Sequence, residues 1–433
     1  MSLISRRTFI RSASAGTAGV FFIPRFARGA DGQSANNKLN IGIIGVNNQG
    51  KYNLDNVASE NIVAICDVDD TFLAKTAERF PHAKKYNDFR RLVEQNDIDA
   101  IVVATPDHTH AVATMAVLKS GRHVYCEKPL THTISECRAI RKAAKDAGKA
   151  TQMGTQIHAG DNYRRVVELI QRDAIGKVKE VHVWVNSSYG GKKRPTETPP
   201  VPDTLHYDLW LGPIDPRPYH PEYLPFNWRN WWAFGGGSLA DFGCHYIDLV
   251  HWALGLKAPD SVETEGPALD AECPPQWLIA QYHYPDYRAD GVDLTWYHGG
   301  KRPERFERLK LPHEEAAKWK SGVLFVGEGG DLLADYSRNM LLPEDKFRDF
   351  RRPEPFIKKS VGHHKEWIGA CKHGTPTTCN FDYSGALTEA VLLGNVAYRV
   401  GKKLQWNSDQ LKATNSPEAD SFIQHRYRAG WTL

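Results

Sequence analysis

The sequence is poor in cysteine, has little net charge and contains no long apolar run. Its seven cysteines form no C-x-x-C pair and no repeated spacing, which argues against a disulfide framework and against a metal site of the structural zinc type. The formal net charge is +4, without the Lys/Arg block that nucleic-acid binding requires. No apolar run reaches the ~18 residues of a membrane span. The 433 residues are 41% hydrophobic, typical of a soluble protein with two domains.

Residues 1–30 have the features of an export signal. A basic start precedes a Gly/Ala-rich middle, and small residues follow near Ala27 and Ala30. The Arg6-Arg7 pair, between Ser5 and Thr8, predicts a twin-arginine signal, which exports proteins that have already folded. A Sec signal or a basic amphipathic tail is the alternative. We therefore expect a periplasmic protein that binds its cofactor before export.

Residues 38–155 have the pattern of a dinucleotide-binding domain. A β-branched strand, 39–44, leads into the turn of GIIGVNNQG. Compared with the dinucleotide-binding fingerprint G-x-G-x-x-G, this turn has the first and third glycines, and Asn47 replaces the second. Asparagine tolerates left-handed backbone geometry better than most residues. A degenerate fingerprint can be a simple strand–turn–helix. We predict that the pyrophosphate binds at Gly45, Asn47, Asn48, Gln49 and Gly50.

An acidic residue follows the second strand of this domain. Residues 61–66 form an apolar run that ends at Asp67. An acid in that position binds the ribose hydroxyls of NAD and repels the 2′-phosphate of NADP. A strand-end cap is the alternative. We predict NAD as the cofactor.

Two later strands end in polar loops at the same edge of the predicted sheet. Strand 98–104 precedes Thr105-Pro106-Asp107-His108-Thr109-His110 and a helix over 111–120, whose start the histidines could cap instead of touching a ligand. Strand 123–126 precedes Glu127-Lys128-Pro129, where Pro129 fixes the turn, with a cis bond as one option. Lys128 could contact a substrate hydroxyl or be a solvated lysine. From these loops we assign Thr105, Pro106, His110, Glu127 and Lys128 to the cofactor.

Residues 156–400 are predicted to form the substrate domain. It begins at Gln156 and His158 and contains an aromatic-rich stretch over 219–234. Aromatic faces pack against sugar C–H surfaces as readily as they fill a core. We assign Gln156, His158, Trp228 and Arg229 to the substrate. Residues 401–433 are predicted to be an irregular tail that contacts the first domain or a neighbouring subunit.

The stretch GGGSLADFGCHYID opens a helix in the substrate domain. Asp241 and His245 lie at i and i+4, on one face of this helix. A helix-surface ion pair is the simpler interpretation, but the apolar residues that follow predict burial. A buried acid–imidazole pair is costly without a task or full hydrogen bonding.

Together, GIIGVNNQG, CDVDD, ATPDHTH, CEKPL and GGGSLADFGCHYID resemble the glucose–fructose oxidoreductase / inositol dehydrogenase / rhizopine-catabolism (Gfo/Idh/MocA) family, over essentially the whole chain from residue 38. The segment GKKLQWN…YRAGW is similar to its longer, exported bacterial members. The resemblance implies an α/β protein with a doubly wound parallel Rossmann sheet and a C-terminal domain built on a large, open, mostly antiparallel sheet. It also implies a homo-oligomer, a dimer or tetramer, and a catalytic group of Lys128, Asp241 and His245.

Three functions are compatible with this pattern. The first is NAD-dependent oxidation of a hydroxyl of a sugar or glycoside, with ring carbon 3 as a candidate. His245 would then be the general base, Lys128 would stabilise the reacting oxygen, and Asp241 would orient His245 or bind a neighbouring hydroxyl. The second is redox-neutral glycoside hydrolysis through a keto-sugar. The third is non-catalytic sugar binding.

Overall fold

A computed structural model describes residues 37–433. The predicted export signal over 1–30 lies outside the described residues, so it stays a prediction. Lys38–Leu433 form one compact unit. Within the described part of the chain, no helix is long and apolar enough to cross a membrane.

The first sheet has six parallel strands. They are β1 Asn40–Ile44, β2 Asn61–Cys66, β3 Lys84–Tyr86, β4 Ala100–Val103, β5 His123–Cys126 and β6 Thr151–Met153. Their order in the sheet is β3-β2-β1-β4-β5-β6. The order reverses between β1 and β4, and the crevice at that point is where doubly wound sheets bind ligands. The predicted Rossmann fold is confirmed.

Apolar strands and capped helices explain why this half folds as it does. All four residues of β4 are buried, as a parallel strand covered on both faces requires. The helices include one with a full capping box, in which Thr133 and Glu136 satisfy each other's backbone N–H groups. They are α1 Gln49–Val57, α2 Asp70–Arg79, α3 Phe89–Leu92, α4 Asp107–Lys119 and α5 Ile134–Ala147.

The second sheet has nine strands. They are β7 Val178–Val185, β8 Ser261–Glu265, β9 Leu278–Tyr284, β10 Val292–His298, β11 Gly322–Gly327, β12 Gly330–Ala334, β13 Asn339–Leu342, β14 Leu404–Asn407 and β15 Lys412–Ala413. Their order in the sheet is β13-β12-β11-β7-β10-β9-β8-β14-β15. Only β7 and β10 pair in parallel, so the predicted, mostly antiparallel sheet is confirmed.

Long buried helices connect this sheet to the Rossmann half. One of them, His363–His373, packs on α1, and its Trp367 and Ile368 complete a core cluster of the first sheet. All described α-helices of the C-terminal half, the short ones included, are α6 Asp161–Gln171, α7 Tyr207–Leu211, α8 Gly237–Leu254, α9 Glu304–Glu307, α10 His313–Ala316, α11 His363–His373, α12 Phe381–Val400 and α13 Asp420–Ile423.

Two segments differ from the sequence-based expectation. Helix α4 begins at Asp107 rather than at 111, because Pro106 already has the φ of −62° that suits a helix start. His108 and His110 therefore lie inside the helix and not in the loop. The tail over 401–433 is not irregular, because buried Leu404 and Trp406 let β14 pair with β8. That alternation covers too few residues to stand out in the sequence.

Candidate active site

A cavity of about 600 Å³ lies at the carboxyl edge of the first sheet. Its volume is that of a typical cofactor or ligand site. Residues from both halves of the compact unit line it. Of the predicted site residues, the cavity wall includes Gly45, Asn47, Asn48, Gln49, Asp67, Thr105, Pro106, Glu127, Lys128, Gln156, Trp228, Arg229, Asp241 and His245.

The turn after β1 is shaped to hold an anion. Gly45 has φ +84°, and Asn48, at the start of α1, has φ 45°. Helix α1 has no side-chain cap and no acidic residue in its first turn, so no carboxylate of the helix itself competes with an anion for the N–H groups at its start. A Cβ on Gly50 would lie 2.0 Å from the carbonyl oxygen of Gly45. Gly50 thus lies beneath the turn, outside the cavity wall, and allows the helix to approach the strand.

Asp67 follows β2 and lies at one end of the cavity. Its two carboxylate oxygens accept hydrogen bonds from the backbone N–H groups of Val46 and Asp69, each at 3.0 Å. Burial nevertheless raises the pKa of Asp67 to about 6. A ribose hydroxyl that donated to this carboxylate would favour its ionised form. The residues of this end therefore fit an unphosphorylated ribose.

Glu127 is held by three side-chain amides. Its Oε1 accepts from Asn53 Nδ2 at 2.9 Å, from Gln156 Nε2 at 2.8 Å and from Gln49 Nε2 at 3.2 Å. Burial raises the pKa of this carboxyl. Asn53 in turn accepts from the ring of His364 at 2.9 Å, which ties the loop after β5 to α11. The Glu127 side chain is thereby fixed beside Lys128.

Lys128, Asp241 and Arg229 form a nearly buried ion cluster. Lys128 Nζ pairs with Asp241 Oδ1 and also donates to the backbone oxygen of Asp241 at 3.0 Å. Arg229 Nε donates to the same Oδ1 at 2.8 Å. Burial alone would raise the pKa of Asp241, but Lys128 and Arg229 hold it below its ordinary value. Two cations share one carboxylate, so the cluster presents an excess positive charge to the cavity.

The backbone brings these three side chains together from distant segments. Lys128 follows β5 at the carboxyl edge of the sheet, and its peptide bond to Pro129 is cis. Asp241 lies in the second turn of α8, which starts at Gly237. Arg229 lies in a short 3₁₀ helix, Asn227–Asn230, that precedes α8 in the chain. The cluster therefore forms only when the two halves of the compact unit pack together.

His245 lies one helical turn after Asp241 and also lines the cavity. Its ring makes no side-chain hydrogen bond to any described residue. Burial, with Lys128 nearby, lowers the pKa of His245 to about 3. The imidazole is consequently neutral at physiological pH, which is the state that accepts a proton.

Asp107 belongs to this site although no sequence pattern distinguished it from its neighbours. Its side chain is only 2% exposed, and its Oδ1 has no hydrogen-bond partner among the described residues. Burial raises the pKa of Asp107 well above its ordinary value, even though Lys128 and Arg229 act to lower it. The available signal was its place in ATPDHTH, at the end of the loop after β4, where α4 begins. Burial favours the protonated form of this carboxyl, and a protonated carboxyl can donate a hydrogen bond to a ligand.

An aromatic group surrounds Arg229. The guanidinium carbon lies 4.1 Å from the ring centroid of Trp228, 4.6 Å from Phe226 and 5.9 Å from Tyr189. Tyr189 stacks on Phe242 at 5.9 Å. All four aromatic residues line the cavity. Tyr189 and Phe242 carried no signal in the sequence beyond their neighbours, because single aromatics usually belong to a core.

His110, assigned to the cofactor, does not line the cavity. It is 1% exposed, and its ring nitrogens lie 2.7 Å from the carbonyl oxygens of Pro129 and Thr105. The early start of α4 turns the ring into the protein. Its observed contacts fasten the loop after β4 to the turn that follows Lys128.

His158, assigned to the substrate, also lies away from the cavity. It is 2% exposed, its Nδ1 lies 3.0 Å from both oxygens of Asp248, and its ring stacks on Trp252 at 3.9 Å. The ring and its polar edge are thus used in internal packing. Gln156, two residues earlier, does reach the cavity and donates to Glu127.

Two family models match the chain. Residues 39–155 match the oxidoreductase family with an NAD-binding Rossmann fold, and residues 170–300 match the C-terminal alpha/beta domain of the same family. Both matches agree with the two sheets described above.

Curated relatives and solved structures agree with this assignment. The chain is 26% identical over 235 residues to levoglucosan dehydrogenase of Pseudarthrobacter phenanthrenivorans, covering 50% of this chain and 51% of the relative. It is 27% identical over 150 residues to inositol 2-dehydrogenase of Salmonella paratyphi B, covering 33% and 45%. The matched part thus spans about half the length of these relatives.

A structural neighbour covers nearly the whole described chain. The WlbA dehydrogenase from Bordetella pertussis, solved in complex with NADH and UDP-GlcNAcA, is 20% identical with a TM-score of 0.58 and covers 86% of this chain and 99% of its own. At this identity the likeness shows the fold. The chain belongs to the Gfo/Idh/MocA oxidoreductase family, with an NAD-binding Rossmann domain followed by the C-terminal alpha/beta domain of that family.

Proposed function

We propose that this protein oxidises a secondary hydroxyl of a sugar or glycoside, with ring carbon 3 as the first candidate. The observation that carries the proposal is the joint placement of an ion cluster and a neutral histidine in the wall of the cavity that the glycine turn and Asp67 also line. NAD, when bound, supplies the acceptor for the hydride. The protein residues must then bind the reacting oxygen and remove its proton.

Lys128 suits the first of these tasks. Its Nζ lies in the ion cluster with Asp241 and Arg229, where one carboxylate balances two cations. The remaining positive charge stabilises an oxygen that becomes negative as its proton leaves. Asp241 fixes Lys128 through its side chain and its backbone oxygen, so the ammonium is oriented before the substrate enters. Arg229 donates to the same carboxylate oxygen of Asp241 as Lys128.

His245 suits the second task. Burial lowers the pKa of His245 to about 3, which leaves the ring neutral but makes it a weak base in the free protein. The carboxylate of Asp241, one helical turn away, acts to raise this pKa and would stabilise the imidazolium that forms. A base in this position takes the hydroxyl proton as the C–H bond breaks. The neighbouring aromatic residues Tyr189, Phe226, Trp228 and Phe242 offer faces for the C–H surface of a sugar ring.

The decisive experiment combines cofactor identification with a substrate panel. The nucleotide released from denatured protein is expected to be NAD or NADH, and pyranoses and aryl glycosides are then tested for NADH formation. NADH formed in equal amount with a keto-sugar supports the dehydrogenase. Aglycone release without net NADH supports the redox-neutral glycosidase instead. Sugar binding without either product indicates a non-catalytic binder, and a phosphorylated nucleotide alone contradicts the cofactor assignment.

The affinity for NAD is expected to fall at low pH because of Asp67. Burial raises the pKa of this carboxyl to about 6, so at pH 5 about nine-tenths of it is protonated in the free protein. If NAD binds the ionised form, its Kd rises about tenfold between pH 8 and pH 5. Titration of NAD at several pH values measures this effect.

The effect of Asp67 on folding has a defined sign. Since the folded pKa lies above the ordinary value of 3.8, the contribution of Asp67 to folding stability is complete below pH 3.8 and is lost as pH rises through 6.

Replacing Asp67 by asparagine removes the carboxylate that would accept from the ribose. Asp67→Asn should weaken NAD binding at pH 8 and remove the pH dependence of the Kd for NAD below pH 6. Asp55→Asn, at a surface ion pair with Lys51, is the matched control. A Kd that is constant from pH 5 to pH 8 in the unaltered protein would contradict the assignment.

A further inference from the structure

Trp431, near the C-terminus, forms part of the cavity wall. Only 9% of its surface is exposed. Its ring lies 6.0 Å from that of Phe89, and the guanidinium carbon of Arg90 lies 4.6 Å from its centroid. Trp431 belongs neither to the glycine turn nor to the ion cluster, so its place in the cavity wall needs a separate explanation.

Trp431 lies at the end of the cavity where Asp67 is found. Phe89 and Arg90 begin α3, directly after β3, which pairs with β2. Asn87 Nδ2 donates to the carbonyl oxygen of Asp67 at 3.0 Å, which joins this corner to the acid. In a Rossmann domain the acid after β2 binds the adenosine ribose, so the adenine lies beside it. Lys128 follows β5, three positions away from β2 in the sheet, so the lysine–aspartate cluster lies apart from this corner.

The C-terminal segment 427–431 is anchored on two sides. Tyr427 donates to Glu136 Oε1 at 2.6 Å, at the start of α5. Arg428 donates to Asp208 Oδ1 at 2.5 Å and to the backbone oxygen of Gly212 at 2.6 Å. Leu209 and Trp210, in the same stretch as Asp208, also line the cavity. The segment is therefore fixed to the cavity wall and not merely laid over the surface.

We propose that the C-terminal segment 427–431 covers the adenosine end of the cofactor site and that Trp431 packs its ring against the adenine. This inference rests on the proposed function, because it presumes that NAD occupies the cavity. An adenine ring is flat and apolar on its faces, and an indole offers the matching surface. Arg90 supports the indole, and Arg90 is itself held by Asp88 through a 2.7 Å contact. To release NAD, the protein would have to break the contacts of Tyr427 and Arg428.

The test measures binding of NAD and of ADP-ribose, which lacks the nicotinamide. Base–aromatic stacking is worth about 1–3 kcal/mol, so Trp431→Ala should weaken both ligands by a similar factor, about 5- to 150-fold. Trp431→Phe keeps a stacking ring and should lose less than Trp431→Leu. The dissociation rate of NAD should rise in the same order. Trp277→Ala is the matched control, because Trp277 lies under Lys301 and outside the cavity wall.

Binding to the unaltered protein separates a failure of the proposed function from a failure of the stacking role. If the unaltered protein binds neither NAD nor ADP-ribose, the proposed function fails and this inference fails with it. If the unaltered protein binds both and Trp431→Ala changes neither Kd by more than twofold, only this inference is overturned. If Trp431→Ala does not fold, the phenylalanine and leucine variants decide: equal affinities in both contradict a stacking role. A loss confined to NAD, with ADP-ribose binding unchanged, also contradicts contact with adenine.

Discussion

Replacing Lys128 by methionine should lower turnover by about 10²–10⁴-fold, which corresponds to roughly 3–5 kcal/mol of barrier. The ammonium lies in the cavity wall, and no other described lysine lines the cavity. Methionine keeps much of the length of the side chain without its charge. Asp241 would retain its 2.8 Å contact with Arg229 and so would not become an unpaired buried charge. Binding of the adenosine part of NAD should stay nearly intact, because Lys128 belongs neither to the glycine turn nor to the corner formed by Asp67 and Asn87.

The measurement is kcat at saturating NAD, together with the melting temperature. Lys142→Met is a suitable control, because Lys142 forms a solvent-exposed pair with Asp146. Loss of this exposed ion pair should change neither kcat nor the melting temperature appreciably. Full activity in Lys128→Met would show that the lysine is only a structural partner of Asp241.

Replacing His245 by glutamine should also remove about 10²–10⁴-fold of the turnover. Glutamine keeps polar bulk but cannot act as a base. The ring makes no side-chain hydrogen bond to a described residue, so the melting temperature should change little. His251 provides the contrast on the same helix, because it is buried and bonds to the hydroxyl of Tyr284 at 3.0 Å. His251→Gln should lower the melting temperature with little effect on the chemical step.

The pH profile and the double variant give independent checks on His245. Because the pKa of His245 is lowered to about 3, its protonation cannot reduce turnover near pH 6.5. An acid limb near pH 6 in kcat/KM for NAD would instead reflect Asp67 of the free protein. The Lys128→Met/His245→Gln double variant should lose much less than the product of the single losses, since groups that act together are not additive. Strict multiplication of the two losses would argue against a shared site.

Local patterns were sufficient for four of the six strands of the Rossmann half. Strands β1, β2, β4 and β5 are apolar runs, and β2 and β5 begin and end where the sequence predicted. The sequence analysis did not predict β3, which is a short and mostly exposed Lys-Lys-Tyr segment, or β6. The positions of Asp67 and Lys128 follow, because the carboxyl ends of parallel strands share one edge of the sheet. Helical periodicity likewise placed Asp241 and His245 on one face of α8.

Tertiary structure alone decided which polar residues face the cavity. His158 was a reasonable substrate ligand in the sequence, but Asp248, 90 positions later, uses its ring nitrogen instead. In the sequence Asp107 was one polar residue of the loop before the helix predicted over 111–120, and only the structure places it near Lys128 and Arg229.

By itself, the sequence determined the main strands of the Rossmann half and the glycine turn, because these depend on neighbours within a few residues. It also determined the positions of the ribose acid and the lysine, because the carboxyl ends of parallel strands lie at one edge of the sheet. The tertiary structure decided the burial of His110 and His158, the pairing of Arg229 with Asp241, and the position of Trp431 at the adenosine end. Each of these depends on contacts outside the residue's own helix, strand or turn. Burial and charge pairing arise from such contacts, so no local pattern of residues encodes them.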